Sequence, residues 1–138
     1  MASQESLDLV YMQTALLHAS LSKATRAKVG SCLVTKQGVC LTGYNGEYSG
    51  GSNICEDDSG LTKPTVIHSE LNCVLRAAKE GISVLDSTLY VTLSPCQSCA
   101  SMLIQAGVKR VVYLEQYRCT NGLGLLRKAG ILIEQLKM

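Results

Sequence analysis

The stretch STLYVTLSPCQSCASMLIQAGVKRVVYLEQ, residues 87–116, has the clearest secondary-structure pattern in the chain. Its beginning, STLYVTLS, has the apolar and β-branched composition of a strand. A helix is predicted over 96–106, opened by Pro95 and followed by Gly107, and a further strand over 109–116. Because strands and helices alternate in this half of the chain, the pattern favours an α/β layered sheet.

The remaining sequence adds elements around this unit. From Ser6 to about Lys23, apolar residues recur at helical spacing and predict a helix. The residues on its predicted apolar face are Leu7, Val10, Tyr11, Thr14, Leu17, His18 and Leu21. The other predicted elements are two strands within 30–44 joined by a turn at 36–38, a long loop over 45–64, a helix over 68–80 closed by Gly81, a short helix over 122–128 and a final short strand over 130–136.

The composition indicates one folded domain over residues 1–138. Hydrophobic residues make up 46% of the chain and charged residues 17%, as is typical of a globular protein. A net charge of +2 is too small to indicate a nucleic-acid partner. No apolar run approaches the roughly 20 residues that span a bilayer, and the N-terminus lacks a secretory-signal pattern. A cytoplasmic location is therefore expected.

The seven cysteines are an odd number for a disulfide framework, and reduced thiols with some metal ligation are expected. Cys55 precedes the acidic run 56–58, where a solvated acidic loop is favoured over a second ion site. The cysteines interpreted as small hydrophobic residues are Cys32, Cys40, Cys73 and Cys119.

One group of residues has the spacing of a metal site. His68 lies two residues before Glu70 at the predicted start of a helix, and Cys96 and Cys99 lie one turn apart at the start of another. One helical turn can direct both thiolates at a single ion, and two thiolates with one imidazole suit zinc. The positive end of a helix also favours the thiolate form. His68, Cys96 and Cys99 are therefore predicted to bind one catalytic zinc ion.

Three protein ligands leave one position open for water, as in catalytic zinc sites. Glu70 lies beside the ligands without belonging to them, and we predict that it moves protons between water and substrate. The order H-x-E followed by P-C-x-x-C is the known signature of the zinc-dependent nucleobase deaminases. A structural zinc site, the absence of metal and a Cys-x-x-Cys redox pair remain as alternatives.

The sequence resembles the cytidine-deaminase superfamily and, within it, the deoxycytidylate (dCMP) deaminases. The resemblance runs from about Lys23 to the C-terminus, and its most specific parts are GYNG at 43–46 and HSELN at 68–72. Its other parts are AKVGSCLV, Cys55, YVTLSPCQSCA and IQAGVKRVVYLEQY. The resemblance implies a three-layer α/β/α fold, in which helices flank a central mixed five-stranded sheet. The small size is similar to that of phage and bacterial members of the family. If the protein is encoded by a phage, the expected location is the host cytoplasm.

The resemblance implies zinc-dependent hydrolysis of dCMP to dUMP and ammonia, which supplies dUMP for thymidylate synthesis. Glu70 would protonate the cytosine ring and then the leaving amino group. Backbone groups of Ser69 and Ser94 are expected to bind the base edge, and Asn45 the sugar, although an Asn-Gly pair can simply form a turn.

The 5′-phosphate of such a substrate requires cations. Arg26 and Arg118 are the expected ligands, because a planar guanidinium can bind phosphate through two hydrogen bonds. Lys23 and Lys28 are weaker candidates. Tyr117 is expected to stack on the base or to close the site.

The resemblance further implies a homo-oligomer, either a hexamer or a dimer. It implies activation by dCTP with Mg²⁺ and inhibition by dTTP, with the regulatory nucleotide near Gly43, Tyr44 and Gly46. The sequence departs from the family where a proline common in this loop is absent from 46–50, and where acidic residues are missing after Tyr117. These departures concern regulation and not catalysis.

Several other functions share part of these features. Another zinc deaminase would use the same metal motif, and its substrate could be dCTP, free cytidine or deoxycytidine, tRNA adenosine or a purine base. A tRNA enzyme should have a more basic surface, and a nucleoside enzyme needs no phosphate ligands. A silent nucleotide-binding or zinc-stabilised scaffold would have no use for Glu70.

Overall fold

A computed structural model describes residues 1–138. The helices are α1 (Gln4–Ala19), α2 (Ser69–Glu80), α3 (Gln97–Ala106) and α4 (Asn121–Lys128). The strands are β1 (Gly30–Val34), β2 (Cys40–Tyr44), β3 (Gly46–Glu47), β4 (Val66–Ile67), β5 (Thr88–Leu93), β6 (Arg110–Glu115) and β7 (Leu132–Gln135). None of the helices combines the length and the apolar character needed to cross a membrane.

The central sheet has five strands in the order β2-β1-β5-β6-β7. Strand β1 pairs antiparallel with both β2 and β5, whereas β5, β6 and β7 run parallel, so the sheet is mixed. Helix α1 packs on one face, while α2, α3 and α4 contribute to the core on the other face. The three-layer α/β/α fold predicted from the sequence is confirmed.

Strand β5 is buried on both faces because a helical layer covers each of them. Leu89 and Val91 belong to the core beneath α2, α3 and α4, whereas the intervening Tyr90 packs beneath α1. Successive strand residues point to opposite faces, so a strand at the centre of a three-layer fold is apolar at nearly every position. This explains why residues 87–94 were the most readable strand in the sequence.

The helices at the metal motif begin and end close to their predicted limits. Helix α2 ends at Glu80, before Gly81, and α3 ends before Gly107, whose φ of +94° lies in the left-handed region that glycine favours. The predicted start of α3 at Cys96 was one residue early. Cys96 is the N-cap residue, so Pro95 precedes the helix and does not form its first turn.

The predicted limits of the first helix were wrong, and its predicted apolar face was correct only in part, since Tyr11 packs against the core. Helix α1 begins at Gln4, where the Ser3 hydroxyl accepts a hydrogen bond from the Ser6 amide, and it ends at Ala19. The buried residues of α1 are Asp8, Met12, Ala15 and Ala19. Leu17, placed on the predicted apolar face, is 71% exposed. The sheet therefore contacts the side of α1 that carries Asp8, Met12 and two alanines, and it leaves several other large apolar residues exposed.

The segment 45–64 was predicted to be a long loop, but it contains some regular pairing. Strand β3 near its start pairs with β4, just beyond its end, and an isolated bridge joins Glu56 to Thr62. The amide of Lys63 also donates to the carbonyl of Cys55 at 2.8 Å. These bonds fold the segment back on itself and bury Cys55.

Candidate active site

His68, Cys96 and Cys99 meet at the N-terminal ends of α2 and α3. The Nδ1 atom of His68 lies 3.6 Å from Sγ of Cys96 and 3.3 Å from Sγ of Cys99. The three donor atoms lie within 4.8 Å of one another, and no other group of three or more metal-binding side chains has this proximity.

The spacing of the three donor atoms fits a zinc ion. Tetrahedral zinc with Zn–S bonds of about 2.3 Å and a Zn–N bond of about 2.0–2.1 Å separates sulfur from nitrogen by about 3.6 Å. The observed separations of 3.6 and 3.3 Å are close to this value. Two thiols and one imidazole are also donors that zinc prefers over hard cations. The residues present therefore fit the metal.

The proton distribution in this cluster favours binding of a cation. Hydrogen bonds from Cys99 and from His68 lower the pKa of the Cys96 thiol to about 3. Their interaction with Cys96 raises the pKa values of both Cys99 and His68. The cluster thus contains a thiolate whose negative charge is stabilised by neighbouring protons, which a metal ion can replace.

Glu70 lies in the first turn of α2, with only 4% of its surface exposed. Burial raises the pKa of its carboxyl group, because the low-dielectric surroundings disfavour the charged form. A carboxyl group with a raised pKa takes up and returns a proton more readily near neutral pH. The environment therefore suits the proton transfer predicted for Glu70.

The β1–β2 hairpin supports the start of α2 from behind. The hydroxyls of Ser31 in β1 and Ser69 in α2 are hydrogen-bonded at 2.6 Å and are both buried. Gly43 in β2 packs so closely that an added Cβ would lie 2.6 Å from the carbonyl oxygen of Ser69. These contacts fix the position of the helix turn that carries His68 and Glu70.

A cavity of about 350 Å³ opens beside the cluster. It brings together most of the residues selected from the sequence. The predicted site residues that line it are Arg26, Asn45, His68, Ser69, Glu70, Ser94, Cys96, Tyr117 and Arg118. Cys99 is buried behind this lining, and Lys23, Lys28, Gly43, Tyr44 and Gly46 do not line it.

Asn45 links the cavity to the segment 22–29, which forms one of its walls. Its amide nitrogen donates to the carbonyl of Ala27 at 2.8 Å, and its amide oxygen accepts from the amide of Val29 at 2.9 Å. An Asn side chain has two donor hydrogens and two acceptor lone pairs. Each end of the Asn45 amide therefore keeps one hydrogen-bonding position for a ligand in addition to its structural role.

Glu56 is a cavity residue that the sequence analysis did not select. One of its carboxylate oxygens accepts hydrogen bonds from the backbone amides of Thr25 and Arg26, at 3.0 and 3.2 Å. It thereby joins the loop 45–64 to the wall that carries Arg26. These partners are 30 and 31 residues away in the chain, so no local pattern could reveal this role.

Ser94 orders the opposite side of the cavity. Its hydroxyl accepts a hydrogen bond from the backbone amide of Tyr117 at 2.7 Å, and its own amide donates to the carbonyl of Glu115. The Arg118 guanidinium lies 5.9 Å from the centre of the Tyr117 ring, within the range of a cation–π contact. Other cavity residues missed by the sequence analysis are Ala24, Ala27, Val29, Cys55, Thr62, Val66, Leu93 and Gln116.

The interpretation of the remaining cysteines was correct only in part. All seven thiols are free, and Cys32 and Cys73 are buried, as expected of small hydrophobic residues. Cys40 and Cys119 are exposed, so the same interpretation was wrong for them. Cys40 lies on the edge strand β2, whose outer side no other strand covers, and Cys119 lies in the segment between β6 and α4.

An α/β/α sheet with this donor set and a buried carboxyl group beside it defines a zinc-dependent deaminase. Residues 5–115 match the family model described as the cytidine and deoxycytidylate deaminase zinc-binding region. The chain therefore belongs to the cytidine and deoxycytidylate deaminase family. The resemblance seen in the sequence is confirmed.

Individual relatives agree with this assignment. ComE operon protein 2 of Bacillus subtilis is 33% identical over 93% of this chain and 70% of its own length. The deoxycytidylate deaminase of Mycobacterium phage D29 is 32% identical over 80% of this chain and 96% of its own length. The chain spans only 45% of the deoxycytidylate deaminase of Saccharomyces cerevisiae and 62% of that of Mus musculus.

A solved structure is similar over nearly the whole chain. The dCMP deaminase of cyanophage S-TIM5, in complex with dCMP and dUMP, is 39% identical and superposes with a TM-score of 0.92. The match covers 98% of this chain and 100% of that protein. The tRNA:A34 deaminases share the fold, at 20% identity and a TM-score of 0.61.

Proposed function

We propose that this protein hydrolyses dCMP to dUMP and ammonia. The observation that carries the proposal is the cavity itself, which joins His68, Cys96 and Glu70 to two arginines, Arg26 and Arg118. A nucleoside would leave these cations without a partner, whereas a nucleotide offers them a phosphate. The similarity to a dCMP deaminase bound to dCMP and dUMP supports the same substrate.

His68, Cys96 and Cys99 would hold the zinc ion. When bound, zinc supplies Lewis acidity, which lowers the pKa of water to near neutrality. Glu70 accepts the proton that water loses as it attacks C4 of the cytosine. The same carboxyl group delivers this proton to N3. It then takes the proton of the new C4 hydroxyl and passes it to the amino group, which leaves as ammonia while the C4 carbonyl forms. Its raised pKa allows it to alternate between base and acid.

The other cavity residues would bind and orient the nucleotide. Backbone groups of Ser69 and Ser94 would hold the base edge, and both residues are buried and fixed by hydrogen bonds. Asn45 would use its free hydrogen-bonding positions for the sugar. Tyr117 would pack against the base, with Arg118 next to it at the phosphate.

The test compares cytosine compounds that differ in the phosphate, and one that also differs in the sugar. Zinc-loaded protein is assayed for ammonia release from dCMP, dCTP, deoxycytidine and cytidine, and the highest kcat/KM is expected for dCMP. Arg26→Ala and Arg118→Ala should raise KM for dCMP and leave deoxycytidine unchanged. Lys23→Ala is the matched control, because Lys23 does not line the cavity. Equal kcat/KM for dCMP and deoxycytidine would contradict the proposal.

A homo-oligomer is part of the proposed function. Helix α1 and the turn after it expose an apolar stripe of Val10, Leu17 and Leu21, with exposed fractions of 54%, 71% and 52%. A second copy of the chain would bury this stripe. Light scattering after size exclusion should give a dimer or hexamer that Leu17→Glu dissociates. Leu75→Glu is the control, because it changes an exposed leucine on α2. A monomeric wild-type protein would refute the proposed homo-oligomer.

Regulation by dCTP with Mg²⁺ and by dTTP is proposed for the intact GYNG segment. Gly43, Tyr44 and Gly46 lie outside the cavity. Gly43 is buried, whereas Tyr44 is 39% exposed and is accessible to a second nucleotide. Turnover of dCMP should rise with dCTP/Mg²⁺ and fall with dTTP. Identical turnover curves with and without these triphosphates would contradict this regulation.

The proposed setting is the cytoplasm, where dUMP would serve thymidylate synthesis.

A further inference from the structure

Cys32 and Cys40 form a thiol pair outside the cavity. Their Sγ atoms lie 2.8 Å apart, and neither residue lines the cavity. A disulfide bond is about 2.03–2.05 Å long, so the two sulfurs are within about 0.8 Å of bonding distance. Outside the predicted metal site, this is the only thiol–thiol contact among the side-chain hydrogen bonds of the protein.

The register of the hairpin keeps these two side chains together. Cys32 in β1 lies opposite Thr42 in β2, and Cys40 lies opposite Val34, two positions along the same strands. Residues two apart on a strand point to the same face, so Cys32 and Cys40 are diagonal neighbours on one face of the hairpin. The hairpin turn is closed by a hydrogen bond from the amide of Thr35 to the carbonyl of Val39 at 2.9 Å.

The two thiols differ in their surroundings. Cys40 is exposed on the edge strand, whereas Cys32 is fully buried beneath α1, in a cluster with Met12, Ala15 and Tyr90. A hydrogen bond donated by the Cys32 thiol lowers the pKa of Cys40 below the ordinary value of a thiol. The thiolate is the nucleophilic form of cysteine. Cys40 is thus accessible and activated, and its partner is protected from solvent.

We propose that Cys32 and Cys40 form a modification site that a hydroperoxide converts into an intrachain disulfide. The Cys40 thiolate attacks one peroxide oxygen, the O–O bond breaks, and Cys40 becomes a sulfenic acid while the remaining oxygen leaves as water or an alcohol. The Cys32 sulfur then attacks the Cys40 sulfur, and the hydroxyl group leaves as a second water. Two thiols lose two hydrogens and two electrons, and the hydroperoxide gains them.

The bond would link the strands that support the start of α2. The hydroxyl of Ser31, the residue before Cys32, is hydrogen-bonded to the hydroxyl of Ser69. Gly43 in β2 packs against the Ser69 carbonyl. The new bond would close a short covalent ring in a hairpin that is already paired. A cross-link of this kind constrains the unfolded chain, so the oxidised protein should unfold at a higher temperature than the reduced protein. This inference does not depend on which nucleotide the enzyme uses.

The test uses the full-length, zinc-loaded protein treated with hydrogen peroxide. Free thiols are then blocked with an alkylating reagent, and tryptic peptides are analysed by mass. Cleavage after Lys36 separates the two cysteines. The peptide 37–76 also contains Cys55 and Cys73, so fragmentation of the linked pair is used to assign the bond to Cys32 and Cys40. We expect this pair, about 2 Da lighter than the sum of its peptides, and its loss on treatment with dithiothreitol. The zinc content is measured before and after oxidation, to show that the metal site stays loaded.

Three variants separate the roles of the thiols. Cys32→Ser should leave Cys40 as a sulfenic acid that dimedone captures, and Cys40→Ser should leave Cys32 unmodified. Cys119→Ser is the matched control at an exposed cysteine and should form the disulfide as the wild type does. The proposal is overturned if wild-type Cys40 remains a sulfenic acid, if it pairs with another cysteine or another molecule, or if it reacts no faster than Cys119.

Discussion

Two polar clusters lie on opposite sides of the central sheet, and they differ in how many of their charged and hydrogen-bonding groups already have partners within the protein. Beneath α1, Arg110 donates two hydrogen bonds to Asp8, at 3.0 and 2.8 Å, and the hydroxyl of Tyr90 donates a third at 2.6 Å. On the other side, His68, Cys96 and Cys99 share protons among themselves. We call the first cluster closed, because its charged groups already have partners within the protein. We call the second cluster open, because it retains donor atoms for a cation.

The difference separates a structural from a functional polar cluster. A buried charge with a full set of partners holds two elements in register and has no capacity left for a ligand. A cluster of donors that needs a cation to balance its thiolates is only complete when it binds one. Burial of charge is therefore not by itself a sign of function; an incomplete set of partners next to a cavity is.

The largest effect is expected when the open cluster loses a ligand. Cys96→Ala should abolish turnover and reduce the zinc content to a small fraction of the wild-type value. It should also lower the Tm, because metal binding contributes to folding. Zinc analysis and thermal unfolding measure both results, and treatment of the wild type with a chelator should reproduce them. A Cys96→Ala protein with full zinc content would show that Cys96 is not a ligand.

Glu70→Gln should leave the open cluster intact but remove its proton transfer. Turnover of dCMP is expected to fall by about 10²–10⁴-fold, the usual size of general acid–base assistance, at unchanged zinc content. Glu80→Gln is a matched control, since Glu80 is exposed at the far end of the same helix. A near-native rate for Glu70→Gln would exclude the assigned role.

The closed cluster should respond in stability and not in metal binding. Asp8→Asn removes the charge that Arg110 pairs with, and only 4% of the Asp8 side chain is exposed. Loss of one partner from a buried pair typically costs about 3–5 kcal/mol, and the lower end is expected because Glu134 also contacts Arg110. Urea unfolding measures the loss, with Glu5→Gln on the exposed side of α1 as control. Zinc content should not change; a zinc-free variant would show that the clusters are coupled.

Acid should weaken the closed cluster through Asp8. Burial alone would raise the pKa of this carboxyl group, but hydrogen bonds from Arg110, Tyr90 and Gln4 outweigh it and hold the pKa below its ordinary value. The folded state thus binds a proton less readily than the unfolded state. The resulting stability is present above the unfolded pKa of about 3.9 and is lost as pH falls through the folded pKa. As the pH is lowered from about 6 to about 3, the free energy of unfolding should fall less steeply in Asp8→Asn than in the wild type. Equal slopes in the two proteins would exclude this contribution of Asp8.

The smallest effect is expected at the cavity wall. Glu56→Gln weakens the hydrogen bonds to the amides of Thr25 and Arg26, because a neutral amide oxygen is a poorer acceptor than a carboxylate. KM for dCMP should rise by about 3–10-fold, since each such bond contributes about 1–2 kcal/mol, while kcat changes less. Asp58→Asn in the same loop is the control. An unchanged KM would show that Glu56 does not position Arg26 for the substrate.

The sequence was most informative where function and local structure coincide. The metal motif could be read because Cys96 and Cys99 are one turn apart and His68 precedes a helix, so the short-range geometry of helices already brings the donors close. The order of strands and helices over 87–116 was readable for a similar reason, since β5 is covered on both faces and its residues are uniformly apolar. These features depend on neighbours within one or two elements.

The errors have a common physical cause. The face of α1 was misjudged because Asp8 is buried by Arg110 and Tyr90, which lie 102 and 82 residues away, while Leu17 stays outside. The loop 45–64 was expected to lack pairing because its partners in β4 and in the 22–29 wall are distant in the chain. Helical and turn propensities contain no information about such contacts.

The sequence by itself determined which donor atoms and which carboxyl group lie close together, and it indicated the layered sheet that places them at helix N-termini. Only the tertiary structure decided which charged groups pair with one another and which thiols come into contact across the β1–β2 hairpin. It also decided that Glu56 hydrogen-bonds the cavity wall that carries Arg26. The physical reason is range. Spacing along a helix or strand is set by backbone geometry, whereas the pairing of Asp8 with Arg110, or of Cys32 with Cys40, exists only after the sheet has formed and set its register.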